Sequence, residues 1–534
     1  MKRSHPFSTA TAALLVLFLS IGCSQTSKSA DATPVEIKLP SLFADHMVLQ
    51  RGIAVPVWGT AGPGQKVTVE VAGKKATARA DESGAFVAKL PKLKASDTPV
   101  TMTVTCGDAK TVVNDVLIGD VWLGSGQSNM EWTFKLLAGG GDKDGSKLKE
   151  LTKVGENLPN VRLYTFPKTT LAEPTKNVRG EWKVCSPEAL AGFSAVAFFF
   201  GREIHEKEKV PVGIVTNAWG GKPIESFMSA EAIKSNPDFQ PLLDRKAKAA
   251  EEFPKLKEEY PKKLAEWEEK NKQTPGKAGA KPSEPKGAED SSLASNIFNG
   301  MVNPVIPLAI KGVIWYQGES NAGRAEQYRA LFPAMIKDWR KQWGQGDFPF
   351  IWVQLANFKD RQPQPGDSDW AELREAQSMT LKVPNTAEAV IIDIGEAKDI
   401  HPKNKLDVGR RLALAAQRIA YGRKDVVHSG PVFESMKIDG GAARLKFRYA
   451  DGMTAQGGGA LKGFAVAGED KKFVWADAKI EGDTVIVSAP GVAKPVAVRY
   501  AWADNPECNL YNAAGLPATP FRTDDFPMIT AGKK

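Results

Sequence analysis

Gly126-Gln127-Ser128-Asn129-Met130 sets a serine just behind a glycine break, at the end of the apolar run Val116–Leu123. A strand that stops at Gly124-Ser125-Gly126 holds the next hydroxyl out beyond the sheet. A helix beginning there leaves backbone N–H groups without intrahelical partners. An exposed hydroxyl beside free donors is what acyl transfer needs, a nucleophile and a cradle for the oxyanion. The hydroxyl is unreactive near neutral pH unless a base accepts its proton, and that base must be oriented. Five histidines are available. His5 lies in the N-terminal segment, His46 in a β-rich region, His205 on an expected helix beside Glu206 and Lys207, and His428 near an expected domain border. His401 alone follows an expected sheet strand and precedes Pro402, which suits the first turn of a helix, so it is the expected general base. Asp399 is the nearest carboxylate to orient it, with Asp393 and Glu396 as alternatives.

The strands expected to carry these residues are Val116–Leu123, Val161–Phe166, Gly213–Thr216, Gly312–Tyr316, Phe350–Leu355 and Ala389–Ile394. Helical patterns alternate with them at Ala195–Glu206, Ala325–Gln342, Ala371–Leu381 and Lys405–Ala420. This alternation predicts an α/β domain over 116–430, a parallel sheet with helices on both faces. Sites in such sheets form at the carboxyl ends of the strands. Four polar loops leave those ends: the Ser128 loop, Asn217–Lys222, Gln317–Asn321 and Gly395–Pro402. Gly220-Gly221 can bring a backbone N–H against a substrate, because no side chain intervenes. Gln317, Glu319 and Asn321 offer side-chain hydrogen bonds, and Gln127 is grouped with them as substrate-facing.

Short Val/Thr-rich runs at Ala54–Gly59, Lys66–Ala72 and Val100–Thr105 predict a β-sandwich over 34–115. Runs at Ala443–Tyr449, Lys472–Trp475, Thr484–Ser488 and Val496–Trp502 predict a second β module over 431–528. The Lys/Glu-rich stretch of about 236–289 reads as a charged helix, Asp244–Lys272, followed by the flexible tract Thr274–Lys286. Lys2 and Arg3 before the apolar run Ala12–Leu19, which is too short to span a bilayer, predict an export signal over 1–23. Small residues directly before Cys23 predict lipidation of that cysteine, giving an exported chain, periplasmic or anchored by lipid at a bacterial outer membrane. Cys106, Cys185 and Cys508 remain; they have no CxxC spacing, which argues against zinc and allows at most one disulfide. The net charge of +9 is spread along the chain without a basic aromatic cluster, which argues against nucleic-acid binding.

Taken together these blocks resemble the SGNH hydrolases, and within them the sialate O-acetylesterase group. The resemblance rests on Leu39–Arg51, Gly126–Met130, Trp219–Glu225, Trp315–Asn321, Asp399–Pro402, Trp502–Pro506 and Pro520–Thr523. It implies a flavodoxin-like SGNH core flanked by β modules. It also implies sialate 9-O-acetylesterase-like removal of acetyl groups from sugar hydroxyls, with no metal or other cofactor. By the same resemblance Ser128 is the nucleophile and His401 the base. The oxyanion donors are the Ser128 and Gly221 N–H groups and a side chain of the third block, Gln317 first. Two departures stand out. Lys398 occupies the place, three before the histidine, where SGNH hydrolases carry the acid, and Ser320-Asn321 follow Glu319 in place of the usual third-block order. The expected partner is an acetylated carbohydrate, whether a sialic acid, xylan or another plant polysaccharide. The rival of another class is a non-catalytic carbohydrate-binding lipoprotein, its 13 tryptophans stacking on sugars.

Overall fold

The protein is described by a computed structural model over residues 36–177 and 179–534; the expected export signal and Cys23 lie outside the described residues. Its spine is one long strand, β1 (Ala109–Gly126). The first half pairs antiparallel with Ser96–Cys106 of the N-terminal module. From Val116 onward every residue of β1 is buried, as expected for a strand covered on both faces. The kink between the halves is at Asp115, at φ 50°, whose carboxylate accepts from the Arg162 guanidinium at 2.6 and 3.0 Å. The expected border between 115 and 116 therefore falls inside one continuous strand that both modules share.

Five further strands complete the parallel part of the central sheet: β2 (Val161–Thr165), β3 (Val212–Thr216), β4 (Gly312–Tyr316), β5 (Phe350–Val353) and β6 (Thr386–Ala389). Their order is β6-β5-β4-β1-β3-β2, with Trp182–Val184 antiparallel at the edge. Setting β2 aside, the remaining five follow the doubly wound order 2-1-3-4-5. That order reverses direction at β1, and the crevice at such a reversal is where ligands bind. The helices that bear on the site are α1 (Ser128–Glu131), α2 (Ala195–Glu208), α3 (Gln240–Gln273), α4 (Ala325–Trp343), α5 (Asp369–Met379) and α6 (Lys405–Ile419), with shorter helical turns between them. Strand alternation splits the core in two. Trp122, Ile214, Ile314 and Ile351 face α2 and α6, while Val121, Leu123, Trp315 and Trp352 face α4 and α5.

The last strand is a correction. The expected run Ala389–Ile394 is apolar, yet the strand is Thr386–Ala389 and the chain leaves the sheet there. Val390 and Ile392 are buried because they pack into the core of the C-terminal module. That module has two four-stranded antiparallel sheets and is pinned to the central domain by buried Arg374, which donates to the carbonyls of Leu355, Ala356, Ala503 and Asp504. In the N-terminal module a two-stranded sheet, Val55–Thr60 with Ala85–Leu90, shares its apolar core with Lys66–Val71 and Ser96–Cys106. The charged insertion is the 34-residue α3, with Leu242 its one buried side chain. Cys106, Cys185 and Cys508 are all unpaired. Among the described residues no helix is long and apolar enough to cross a membrane.

Gly126 ends β1 at φ 134°, and a Cβ there would lie 2.2 Å from the Tyr316 carbonyl oxygen. Gly126→Ala is expected to cost about 3 kcal/mol in denaturant unfolding, because both the backbone and its neighbour must shift. Gly139→Ala, at φ 83° with nothing within 4 Å, is expected to cost clearly less.

Candidate active site

Ser128 is the first residue of α1, directly beyond the end of β1. Backbone bonds sew its turn to both flanking strands. The Gln127 N–H donates to Tyr316 O at the end of β4 (2.9 Å), and the Trp219 N–H of the glycine loop donates to Gly126 O (2.9 Å). Ser128 Oγ stands 2.9 Å from His401 Nε2, so the hydroxyl can donate to the imidazole when that nitrogen is unprotonated. The imidazole stacks on Trp132, with centroids 4.1 Å apart and planes 18° apart. Asp399 Oδ1 accepts the His401 backbone N–H at 2.9 Å and lies 3.7 Å from Nδ1. The other two carboxylates are engaged elsewhere. Asp393 pairs with Arg411 at 2.6 and 2.7 Å and accepts the Tyr511 hydroxyl, while Glu396 binds the Lys403 N–H and ammonium.

On the other side of Ser128 the Gly220 N–H is held by Glu131 Oε2 at 2.7 Å. A Cβ on Gly220 would come within 3.1 Å of Ser128 Cβ, a tight contact, so glycine lets this loop close on the serine without displacing it. The N–H groups of Ser128 and Gly221 have no partner among the described residues. Gln317, the first-choice side-chain donor, is occupied. It is fully buried, its Nε2 donates to Asn321 Oδ1 (2.7 Å) and Lys222 O (3.3 Å), and its Oε1 accepts from Tyr328. Asn321 is engaged likewise, accepting the Ile224 N–H and donating to Glu225. Both amides staple the third loop to the glycine loop: Gln317 has both of its N–H groups engaged, and Asn321 has one of its two on Glu225 Oε2. Gln127 Oε1 accepts from the Ser320 N–H at 3.3 Å, which ties the first loop to the third. Glu319 is buried against Asn129. Trp219 of the glycine loop is half-buried, with the Lys168 and Lys222 ammoniums each 5.8 Å from its ring centre.

Residues 290–418 match the family described as carbohydrate esterase, sialic acid-specific acetylesterase. The chain is 28% identical to the sialate O-acetylesterase of Homo sapiens, across 91% of this chain and 92% of that one. It is 29% identical to the sialate O-acetylesterase of Mus musculus, across 91% and 94%. A crystal structure of a carbohydrate acetylesterase from Xanthomonas citri superposes with a TM-score of 0.76 at 40% identity, covering 92% of this chain and 100% of that chain.

Three contributors escaped the sequence reading. Asn129 follows the serine, Trp132 lies one helical turn beyond it, and Lys405 opens α6. A lysine at a helix N-terminus opposes the helix dipole, which was the available clue to Lys405. It is buried and donates to Asn129 Oδ1 at 2.5 Å, and burial brings its pKa down to about 7. Partial burial and, second, the Lys405 charge hold His401 below its ordinary 6.5, while Asp399 pulls the other way. The imidazole is therefore neutral, and able to accept a proton, at and somewhat below neutral pH. An NMR titration of His401 is expected to give a midpoint below 6.5, lower still in Asp399→Asn and higher in Lys405→Met.

Proposed function

The chain belongs to the sialate O-acetylesterase family of carbohydrate esterases, and from that premise we propose that it hydrolyses O-acetyl esters on sugars with Ser128 as nucleophile and His401 as general base. The observation that supports this most strongly is the 2.9 Å approach of Ser128 Oγ to His401 Nε2 beside two uncommitted backbone N–H groups. The core is read as the flavodoxin-like SGNH hydrolase fold, on the strand order and the four loops at its carboxyl edge.

Ser128 Oγ attacks the acetyl carbonyl carbon as His401 Nε2 takes the hydroxyl proton. The oxyanion that forms is met by the Ser128 and Gly221 N–H groups. Collapse breaks the bond to the sugar oxygen, which leaves with the proton from His401, and an acetyl-serine remains. Water then attacks that ester with His401 again as base. Acetate departs, and Ser128 regains its proton. Asp399 is the acid assigned to His401, being the one of the three nearby carboxylates left facing the imidazole. Trp219 is read as a stacking surface for the sugar ring. The substrate reading has two branches. Likeness to sialate O-acetylesterases supports acetylated sialic acids, and the greater identity to a bacterial carbohydrate acetylesterase supports an acetylated carbohydrate without restricting it to sialic acids, which keeps xylan and other plant polysaccharides as the second branch. The N-terminal segment ending at Cys23 supports an exported, lipid-anchored enzyme that works on glycans outside the cytoplasm.

Ser128→Ala is expected to lower kcat on 4-nitrophenyl acetate by at least about 1,000-fold with folding retained. Equal rates for the folded variant and wild type would sink the mechanism and restore the carbohydrate-binding alternative. Asp399→Asn is expected to lower kcat about tenfold or more, with Asp393→Asn and Glu396→Gln well behind. Turnover unchanged in Asp399→Asn removes it from the set. Acetate release from acetylated sialic acids, set against acetylated xylo-oligosaccharides, decides between the two substrate branches.

A further inference from the structure

The bond between Ser128 and His401 joins two residues 273 positions apart, and something must hold their loops in register. Asp399 bonds the base's own backbone and stands 3.7 Å from its ring, too far for a hydrogen bond to Nδ1. The tie that does span the two loops comes from Asn129. Its Nδ2 donates to the carbonyl of Ile400, the residue before the base, at 3.0 Å. One residue after the nucleophile is thus bonded to one residue before the base.

The remaining capacity of that amide is used by buried charges. The second Nδ2 proton goes to Glu319 Oε1 at 2.7 Å, and Oδ1 accepts from Lys405 Nζ at 2.5 Å. A protonated Lys405 needs the amide oxygen and the Glu319 carboxylate needs the amide N–H, so the pair in its charged form selects this orientation of the side chain. In that orientation an N–H is always aimed at Ile400 O. Asn129 is the side-chain donor to the Glu319 carboxylate and the side-chain acceptor for the Lys405 ammonium. Lys405 Nζ also lies 5.9 Å from the centre of the Trp132 ring on which His401 stacks.

We propose that Asn129 is a positioning residue that sets the separation of Ser128 and His401 by clamping the Ile400 carbonyl, with Glu319 and Lys405 as the buried pair that locks its amide. Glu319 thereby leaves the substrate-binding set and joins the scaffold of the base. The proposal rests on the serine esterase reading above, and Ser128→Ala tests that reading separately.

The test is steady-state hydrolysis of 4-nitrophenyl acetate by the full chain, with thermal unfolding to check the fold. Asn129→Ala is expected to lower kcat about 100-fold, the cost of a small misplacement of reacting groups, and to leave KM within about twofold. A second comparison serves if that variant does not fold. Glu319→Gln and Lys405→Met each leave one buried charge without its counter-charge, whereas the double variant leaves neither. The double variant is expected to turn over faster than either single one. If Ser128→Ala is inert while Asn129→Ala keeps kcat within about threefold of wild type, the clamp is overturned and the esterase reading stands. A double variant slower than both singles also overturns the lock.

Discussion

The carboxyl end of β1 lies between two parallel strands, and the glycine loop and the third loop are referenced to it by main-chain bonds. Gly126 comes so close to the Tyr316 carbonyl that no side chain fits between them, and the neighbouring Gln127 N–H bonds that same carbonyl. The glycine loop is hung from Gly126 O and Gly124 O. A hydroxyl held this way has little freedom to drift, because moving it means breaking the seams to β3 and β4 together. The doubly wound strand order is what makes such a point available, since connections depart on both sides of β1 and leave a crevice above it.

Around that point the polar side chains divide their work by burial. The third loop contributes amides that are spent on architecture. Gln317 bonds Asn321 and the glycine loop with both of its N–H groups, and Asn321 bonds the Ile224 N–H and the Glu225 carboxylate in turn. A buried amide with an unfilled donor would be costly, so residues this deep are more readily satisfied than reactive. The exposed part of the site is correspondingly spare: a hydroxyl, a partly shielded imidazole, two unpaired N–H groups and an indole.

The imidazole is held by means other than a close carboxylate. Trp132 supports its face, Asn129 holds the preceding carbonyl, and Asp399 caps the backbone N–H while remaining near Nδ1. An aromatic face also favours the protonated form of an imidazole stacked on it. The C-terminal module takes part indirectly. It draws Val390 and Ile392 into its own core, which ends β6 early and sends the chain toward the histidine loop.

The serine and the histidine that meet in the structure were legible along the chain because they are announced by local physics. Glycine breaks after apolar runs mark strand ends, polar residues follow them, and only one histidine stands in such a loop. The alternation of strand and helix patterns likewise indicated a covered parallel sheet, since burial on both faces writes itself as continuous apolar runs. What the chain alone did not disclose depends on partners distant in sequence. The apolar run at 390–394 reads as strand until the C-terminal module supplies another surface to bury it. Gln317 reads as a donor until Lys222 and Asn321 are seen to take both its protons. Asn129, Trp132 and Lys405 look like ordinary helix residues until folding brings Ser128 and His401 together. Local pattern therefore determined the elements and the residue types of the site. Only tertiary packing decided which polar groups were already satisfied and which were left free to act.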